Sequence, residues 1–262
     1  MTHIVCVANQ KGGVGKTTTV FHLARAAGLQ GLKALVIDTD PQGNLTSSLS
    51  REALSTDAPG LADALTAQTQ DTLDGVVVPG LWDGVDLIPT TGETLPFVRN
   101  ELTVSPAGAE FRLKKAIESL AGRYDLILID CPPSIDKLTI NAMVASDDVL
   151  IVTHAARYSL DGIKHLLDSV NMVRDYNPNL KLAGLVVNQY ERQRNAAQSW
   201  RLELAHAADG MGLPIFEPMI PKRTMIAEAA ENGEALDQRG GEDARQLAQI
   251  YDRYITKLTE GA

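Results

Sequence analysis

Two lysines, three glycines and two threonines fall within the eight residues Lys11-Gly-Gly-Val-Gly-Lys-Thr-Thr18. Gly12, Gly13 and Gly15 lack a Cβ, so the backbone there can take positive φ and bring its N–H groups close to an anion. A helix beginning near Lys16 would aim its unpaired N–H groups and positive dipole end at the same point. Lys16 adds a full charge suited to β- and γ-phosphates, and the Thr17 hydroxyl suits Mg²⁺. The chemistry indicated is therefore nucleotide phosphate binding. The common phosphate-loop pattern has a glycine five residues before Gly-Lys-Thr; this chain has Gln10 there and places an extra cation, Lys11, beside the glycines. Three aspartates elsewhere suit the same chemistry. Asp38 and Asp40, two apart at a strand end, point the same way, and Asp130 closes the apolar run Tyr-Asp-Leu-Ile-Leu-Ile-Asp before Cys-Pro-Pro. An aspartate at the tip of a buried strand beside a phosphate loop is the Walker B arrangement, in which it binds Mg²⁺ through water.

These residues need a scaffold that brings strand ends together. Continuous apolar runs at His3 to Ala8, Lys33 to Ile37, Tyr124 to Asp130, Asp148 to Thr153 and Leu182 to Val187 read as strands of a parallel sheet covered on both faces. Helical spacing recurs at Thr17 to Gly28, Ala109 to Leu120, Leu138 to Ala145, Ser159 to Tyr176, Ser199 to Ala208 and Ala244 to Leu258. The expected fold is α/β, a doubly wound, mostly parallel twisted sheet of about seven or eight strands flanked by helices, with ligands at the carboxyl ends of the strands. All 262 residues are expected to form one domain. Ser47 to Gly60 reads as a loop, Leu61 to Leu73 as a helix and Val85 to Pro89 as a short strand. Thr91 to Ser105, with Pro96 and weak periodicity, reads as irregular surface. Leu213 to Ile220 reads as a strand interrupted by Pro214 and Pro218.

Lys-Gly-Gly-Val-Gly-Lys-Thr-Thr resembles the deviant Walker A motif of the ParA/MinD family of P-loop ATPases. Asp-Thr-Asp-Pro-Gln-Gly-Asn at 38–44 resembles that family's switch I, and Asp-Cys-Pro-Pro-Ser at 130–134 its switch II. The resemblance spans nearly the whole chain and implies an ATP- and Mg²⁺-dependent switch. It makes Lys11 the signature lysine that reaches across a dimer, Lys16 the in-cis phosphate lysine and Asp40 the residue that positions the attacking water. Thr17 and Asp130 would serve Mg²⁺, with Asp38 a supporting Mg²⁺ or structural carboxylate. The nucleotide would lie on Gly12, Gly13, Val14, Gly15, Lys16, Thr17 and Thr18. Asn188 would read the adenine edge, and Pro221, in the stretch Ile-Pro-Lys-Arg-Thr, would border the base. As a short form without a preceding helix-turn-helix, such a protein would not bind an operator directly.

Composition is ordinary for a globular chain, 44% hydrophobic and 22% charged. No apolar run reaches membrane length, and Cys6 and Cys131 have no metal-type spacing, so the expected compartment is the cytoplasm. A net charge of −9 opposes global attraction to nucleic acid. From Lys181 to Arg223, however, six Lys or Arg stand against four Asp or Glu, a net of +2, which leaves −11 elsewhere. Arg192, Arg194, Lys222 and Arg223 are the candidates for a nonspecific DNA surface, contacting phosphates. The resemblance implies an ATP-bound homodimer on nucleoid DNA and a ParB-like or cargo-adaptor partner that stimulates hydrolysis. A MinD-like membrane ATPase is the competing expectation. The mixed charges of the C-terminal amphipathic segment speak against stable membrane association and for packing on its own domain.

Overall fold

The structure, a computed structural model, describes residues 2–67, 72–154, 159–191 and 195–260. Seven strands form one sheet in the order β3-β4-β2-β5-β1-β6-β7: β1 His3–Ala8, β2 Ala34–Asp38, β3 Val78–Pro79, β4 Val85–Ile88, β5 Leu126–Asp130, β6 Asp148–His154 and β7 Lys181–Asn188. Every pairing is parallel except that of the two-residue edge strand β3 with β4. The helices are α1 Lys16–Leu29, α2 Asn44–Leu49, α3 Leu61–Leu65, α4 Leu95–Val104, α5 Arg112–Glu118, α6 Lys137–Ala145, α7 Ser159–Val173, α8 Asn195–Gly210, α9 Thr224–Glu231 and α10 Glu242–Glu260.

Alternate residues of each central strand enter different cores, as the period of two requires. Cys6, Ala8, Leu35, Ile37, Ile127 and Ile129 face the layer containing α3 to α8. Val5, Val7, Ala34, Val36, Leu126 and Leu128 face the layer containing α1, α2, α9 and α10. Both faces are covered, which is why these strands read as unbroken apolar runs. The C-terminal stripe Leu247, Ile250, Tyr251, Tyr254, Ile255 and Leu258 is buried in this second core, and Tyr254 Oη donates to the Pro218 carbonyl at 2.6 Å. The amphipathic face of α10 is thus occupied by the chain's own core.

Four expectations are corrected. Thr91 to Ser105 contains α4, because Pro96 sits in the first turn, where a missing N–H costs nothing, and Leu95, Val98 and Leu102 are buried. The loop expected from Ser47 begins later, since α2 runs to Leu49. The helix expected over Leu61 to Leu73 stops at Leu65: Thr66 is extended, and its hydroxyl and the Ala67 N–H both donate to the Glu101 carboxylate, tying this end to α4. Leu213 to Ile220 forms no strand. Pro214 and Pro218 limit the segment to isolated bridges beside β7, at Leu185 with Ile215 and Tyr190 with Pro221.

Candidate active site

The carboxyl ends of β1, β2, β5, β6 and β7 converge, and α1 starts there. Gly13 and Gly15 have φ of +71° and +88°, so the turn from β1 into α1 uses glycine where other residues would be strained. At Gly15 there is no room either, because a Cβ would lie 2.1 Å from Asn188 Nδ2. Gly12, Gly13, Gly15, Lys16, Thr17 and Thr18 line a cavity of about 830 Å³ together with Asp40, Asn188 and Pro221. Val14 instead turns its side chain into the core. Lys11, just ahead of these glycines, is exposed, and its N–H donates to Asn9 Oδ1 at 3.0 Å.

The acidic residues divide by environment. Asp38 and Asp130 are register partners on β2 and β5, and both are completely buried. Asp38 Oδ2 accepts from the Thr46 N–H and hydroxyl at 2.8 and 2.7 Å, and Oδ1 accepts from the Asp40 N–H at 3.1 Å. Thr46 Oγ1 in turn accepts from Thr90 N–H, and the Thr90 hydroxyl donates to the Asp38 carbonyl. Of its two expected roles, Asp38 has the geometry of the structural one, rooting the 38–46 segment. Burial pushes its carboxyl up to about 6, against the opposing pull of these hydrogen bonds. Asp40, partly exposed, holds its own loop through Oδ1 and the Gln42 N–H at 3.0 Å and lines the same cavity as Lys16.

Asp130 is less satisfied. Oδ2 accepts from the Thr17 hydroxyl at 2.7 Å, whereas Oδ1 is buried with no hydrogen-bond partner among the described residues. Burial, reinforced by the Asp38 charge, raises its carboxyl well above the usual range. Burial likewise lowers the Lys16 ammonium, and the neighbouring Asp130 charge opposes that shift. Because the Thr17 hydroxyl spends its proton on Asp130, its lone pairs remain for a cation. An orphaned carboxylate oxygen beside that hydroxyl fits a divalent metal held by hard oxygen ligands. Thr17 and Asp130 are therefore the residues that would hold Mg²⁺.

Asn188 is buried, and its amide is engaged by the loop: Nδ2 donates to the Val14 carbonyl at 3.0 Å and Oδ1 accepts from Gln189 N–H at 2.8 Å. A residue that sequence reasoning missed lies one strand away. His154, at the end of β6, places Nε2 2.7 Å from the Gly13 carbonyl. A polar residue closing an apolar strand was its only signal. Lys222 and Arg223 are exposed and paired, with Glu191 at 2.9 Å and Asp243 at 3.2 Å. Arg192 and Arg194 lie outside the described residues.

The family model of an AAA domain matches residues 2–182. The chromosome-partitioning ATPase Soj of Thermus thermophilus is 36% identical over 252 residues, covering 94% of this chain and 93% of its own. The chromosome partitioning protein ParA of Caulobacter vibrioides is 35% identical, with 88% and 84% covered. Among solved structures, the cobyrinic acid a,c-diamide synthase of Mycobacterium smegmatis with bound ADP and magnesium is 32% identical, with 90% of this chain and 94% of that one covered and a TM-score of 0.76. McdA of Cyanothece, at 24% identity, covers 97% of this chain and 100% of its own with a TM-score of 0.84, a likeness of fold. Matches to Soj and ParA along nearly the full length, on a sheet whose strand ends assemble Lys16, Thr17, Asp40 and Asp130 beside a deviant phosphate loop, establish that the chain belongs to the ParA/Soj family of partition ATPases.

Proposed function

We propose that this protein is a nucleotide-dependent dimerisation switch that binds DNA nonspecifically and moves or positions a plasmid, a chromosome or another cargo, with hydrolysis stimulated by a partner protein. The observation that carries it is the pair of lysines on one loop, Lys16 buried against the acidic centre and Lys11 exposed just ahead of the loop glycines. Lys16 would serve the nucleotide of its own subunit. Lys11, with no ion pair among the described residues, is available to a nucleotide held by a second copy. Mg²⁺, when bound, would neutralise charge on the β- and γ-phosphates, while Asp40 orients the attacking water and the loop N–H groups hold the phosphates. Hydrolysis then acts as a timer that separates the subunits, and the ATP form resides on the nucleoid.

The reading as a membrane-positioning ATPase finds less support, since the one strongly amphipathic C-terminal face is packed against α1 and the sheet. Among the described residues no helix is long and apolar enough to cross a membrane. The test is Lys11→Ala, followed by light scattering and DNA co-sedimentation with Mg²⁺ and a nonhydrolysable ATP analogue. The parent should shift to a dimer and pellet with DNA, whereas the variant should bind nucleotide yet stay monomeric. A variant that dimerises and binds DNA like the parent sinks the proposal.

A further inference from the structure

Side chains from neighbouring strand ends hold two carbonyls in the middle of the phosphate loop. His154 Nε2 lies 2.7 Å from the Gly13 carbonyl oxygen, and Asn188 Nδ2 lies 3.0 Å from that of Val14. The two residues are register partners on β6 and β7, so one sheet edge supplies both. Behind them, Asn9 Nδ2 donates to the Val152 carbonyl at 2.7 Å and anchors the start of the loop to β6.

A carbonyl oxygen only accepts, so the Nε2 facing Gly13 must carry a hydrogen. In a trans peptide, C=O and the following N–H point in opposite directions. Turning the Gly13 carbonyl to His154 therefore turns the Val14 N–H away from that ring, and turning the Val14 carbonyl to Asn188 turns the Gly15 N–H away from that amide. Among the described residues, no protein acceptor takes the N–H of Gly13, Val14 or Gly15. Glycines at 13 and 15 leave this turn with little intrinsic rigidity, so an external donor has real leverage on where its N–H groups aim.

We infer that His154 is a positioning residue for nucleotide binding: its Nε2–H fixes the Gly13–Val14 peptide so that the loop N–H groups are preset toward phosphate. This rests on the reading of the loop as an ATP site. The histidine acts on the loop through the Gly13 carbonyl and takes no part in bond breaking. Because the N–H groups meet phosphate in the ground state and the transition state alike, its loss raises KM and leaves kcat nearly unchanged.

The test uses the full chain with Mg²⁺, calorimetric binding of a nonhydrolysable ATP analogue, and steady-state hydrolysis. His154→Phe keeps a ring without the donor, His154→Asn keeps an amide too short to reach, and His154→Gln carries an amide nitrogen at nearly the reach of Nε2. Loss of one neutral hydrogen bond corresponds to about a 5-fold weaker Kd, expected for Phe and Asn, with KM following and kcat within about 2-fold. Gln should return to within about 2-fold of the parent, and thermal melting should not track these changes. The assignment is overturned if Phe binds as tightly as the parent, or if Gln is as weak as Asn; the second contrast stands even if the Phe variant does not fold. A parent that binds no nucleotide overturns instead the reading of the site, and the assignment with it.

Discussion

Asp130 shows folding and function in opposition at a single side chain. It is fully buried, one oxygen takes the Thr17 hydroxyl, and the other faces no partner among the described residues. Burial and the Asp38 carboxylate both raise its carboxyl, which means that ionising it costs the folded chain free energy. Asp38, equally buried, offsets the same cost with three hydrogen bonds. The difference marks Asp130 as the carboxylate kept for a ligand. Asp130→Asn keeps the shape and removes the charge, so its melting temperature should equal or exceed the parent's. Phosphate release with Mg²⁺ and ATP should fall by about 10²- to 10³-fold, the usual loss when a preorganised electrostatic group is removed. Scanning calorimetry and a phosphate-release assay on the same preparation check both halves. Retained hydrolysis would remove Asp130 from the metal site, and a large fall in melting temperature would make its role structural.

Between elements, the contact of α1 with α10 carries a second titrating group. His22 on α1 is buried, stacks 4.7 Å from Tyr251 of α10 and holds Nε2 2.9 Å from the Ile226 carbonyl of α9. Burial lowers its pKa to about 4, against the upward pull of that carbonyl and of Asp237. The unfolded chain, with an ordinary imidazole, therefore binds the extra proton between about pH 6.5 and 4. Stability is full above that window and is lost as pH falls through it. From pH 7 to 4.5 the loss from this residue is about 2 kcal/mol. Urea unfolding of the parent and of His22→Phe at both pH values isolates the term: the drop on acidification should be smaller in the variant by that amount, and equal drops would refute it. His22 is also a fair sample of what a sequence does not display, since it lies in a legible helix without any hint of three elements meeting on it. β1, β2, β5, β6 and β7 were legible because strands covered on both faces leave unbroken apolar runs. The loop and the Asp130 strand end were legible because glycines and aspartates at those spacings have few other uses. α4 was hidden by Pro96, whose position in the first turn is known only once the helix start is known. The ties of His154 and Asn188 to the loop join residues more than 140 positions apart, and local periodicity carries no trace of such pairs.

Over the whole molecule the chain is strongly acidic, and any DNA surface must be a local exception to a repulsive field. Lys222 and Arg223 line the cavity beside Pro221 and the start of α9, so a surface containing them would adjoin a nucleotide bound there. Their pairing with Glu191 and Asp243 is compatible with contact to phosphate. Both ion pairs are partly exposed, and such pairs are worth little in water. Phosphates compete with those carboxylates for the same cations, and this gives the proposal two opposed mutations. Replacing Lys222 and Arg223 by glutamate should weaken DNA binding uniformly across sequences and reduce the slope of log affinity against log salt by about 2 for each subunit engaged. Replacing Glu191 by glutamine and Asp243 by asparagine should strengthen binding, because the cations then face phosphate without a rival. Fluorescence anisotropy of a random-sequence duplex, with Mg²⁺ and a nonhydrolysable ATP analogue at several salt concentrations, reads both. If the glutamate pair leaves the slope unchanged while nucleotide binding is intact, the DNA surface lies elsewhere. The opposite-sign response of the two double mutants is what separates a phosphate-binding patch from a solvated set of surface ion pairs, for which neither change would alter DNA affinity.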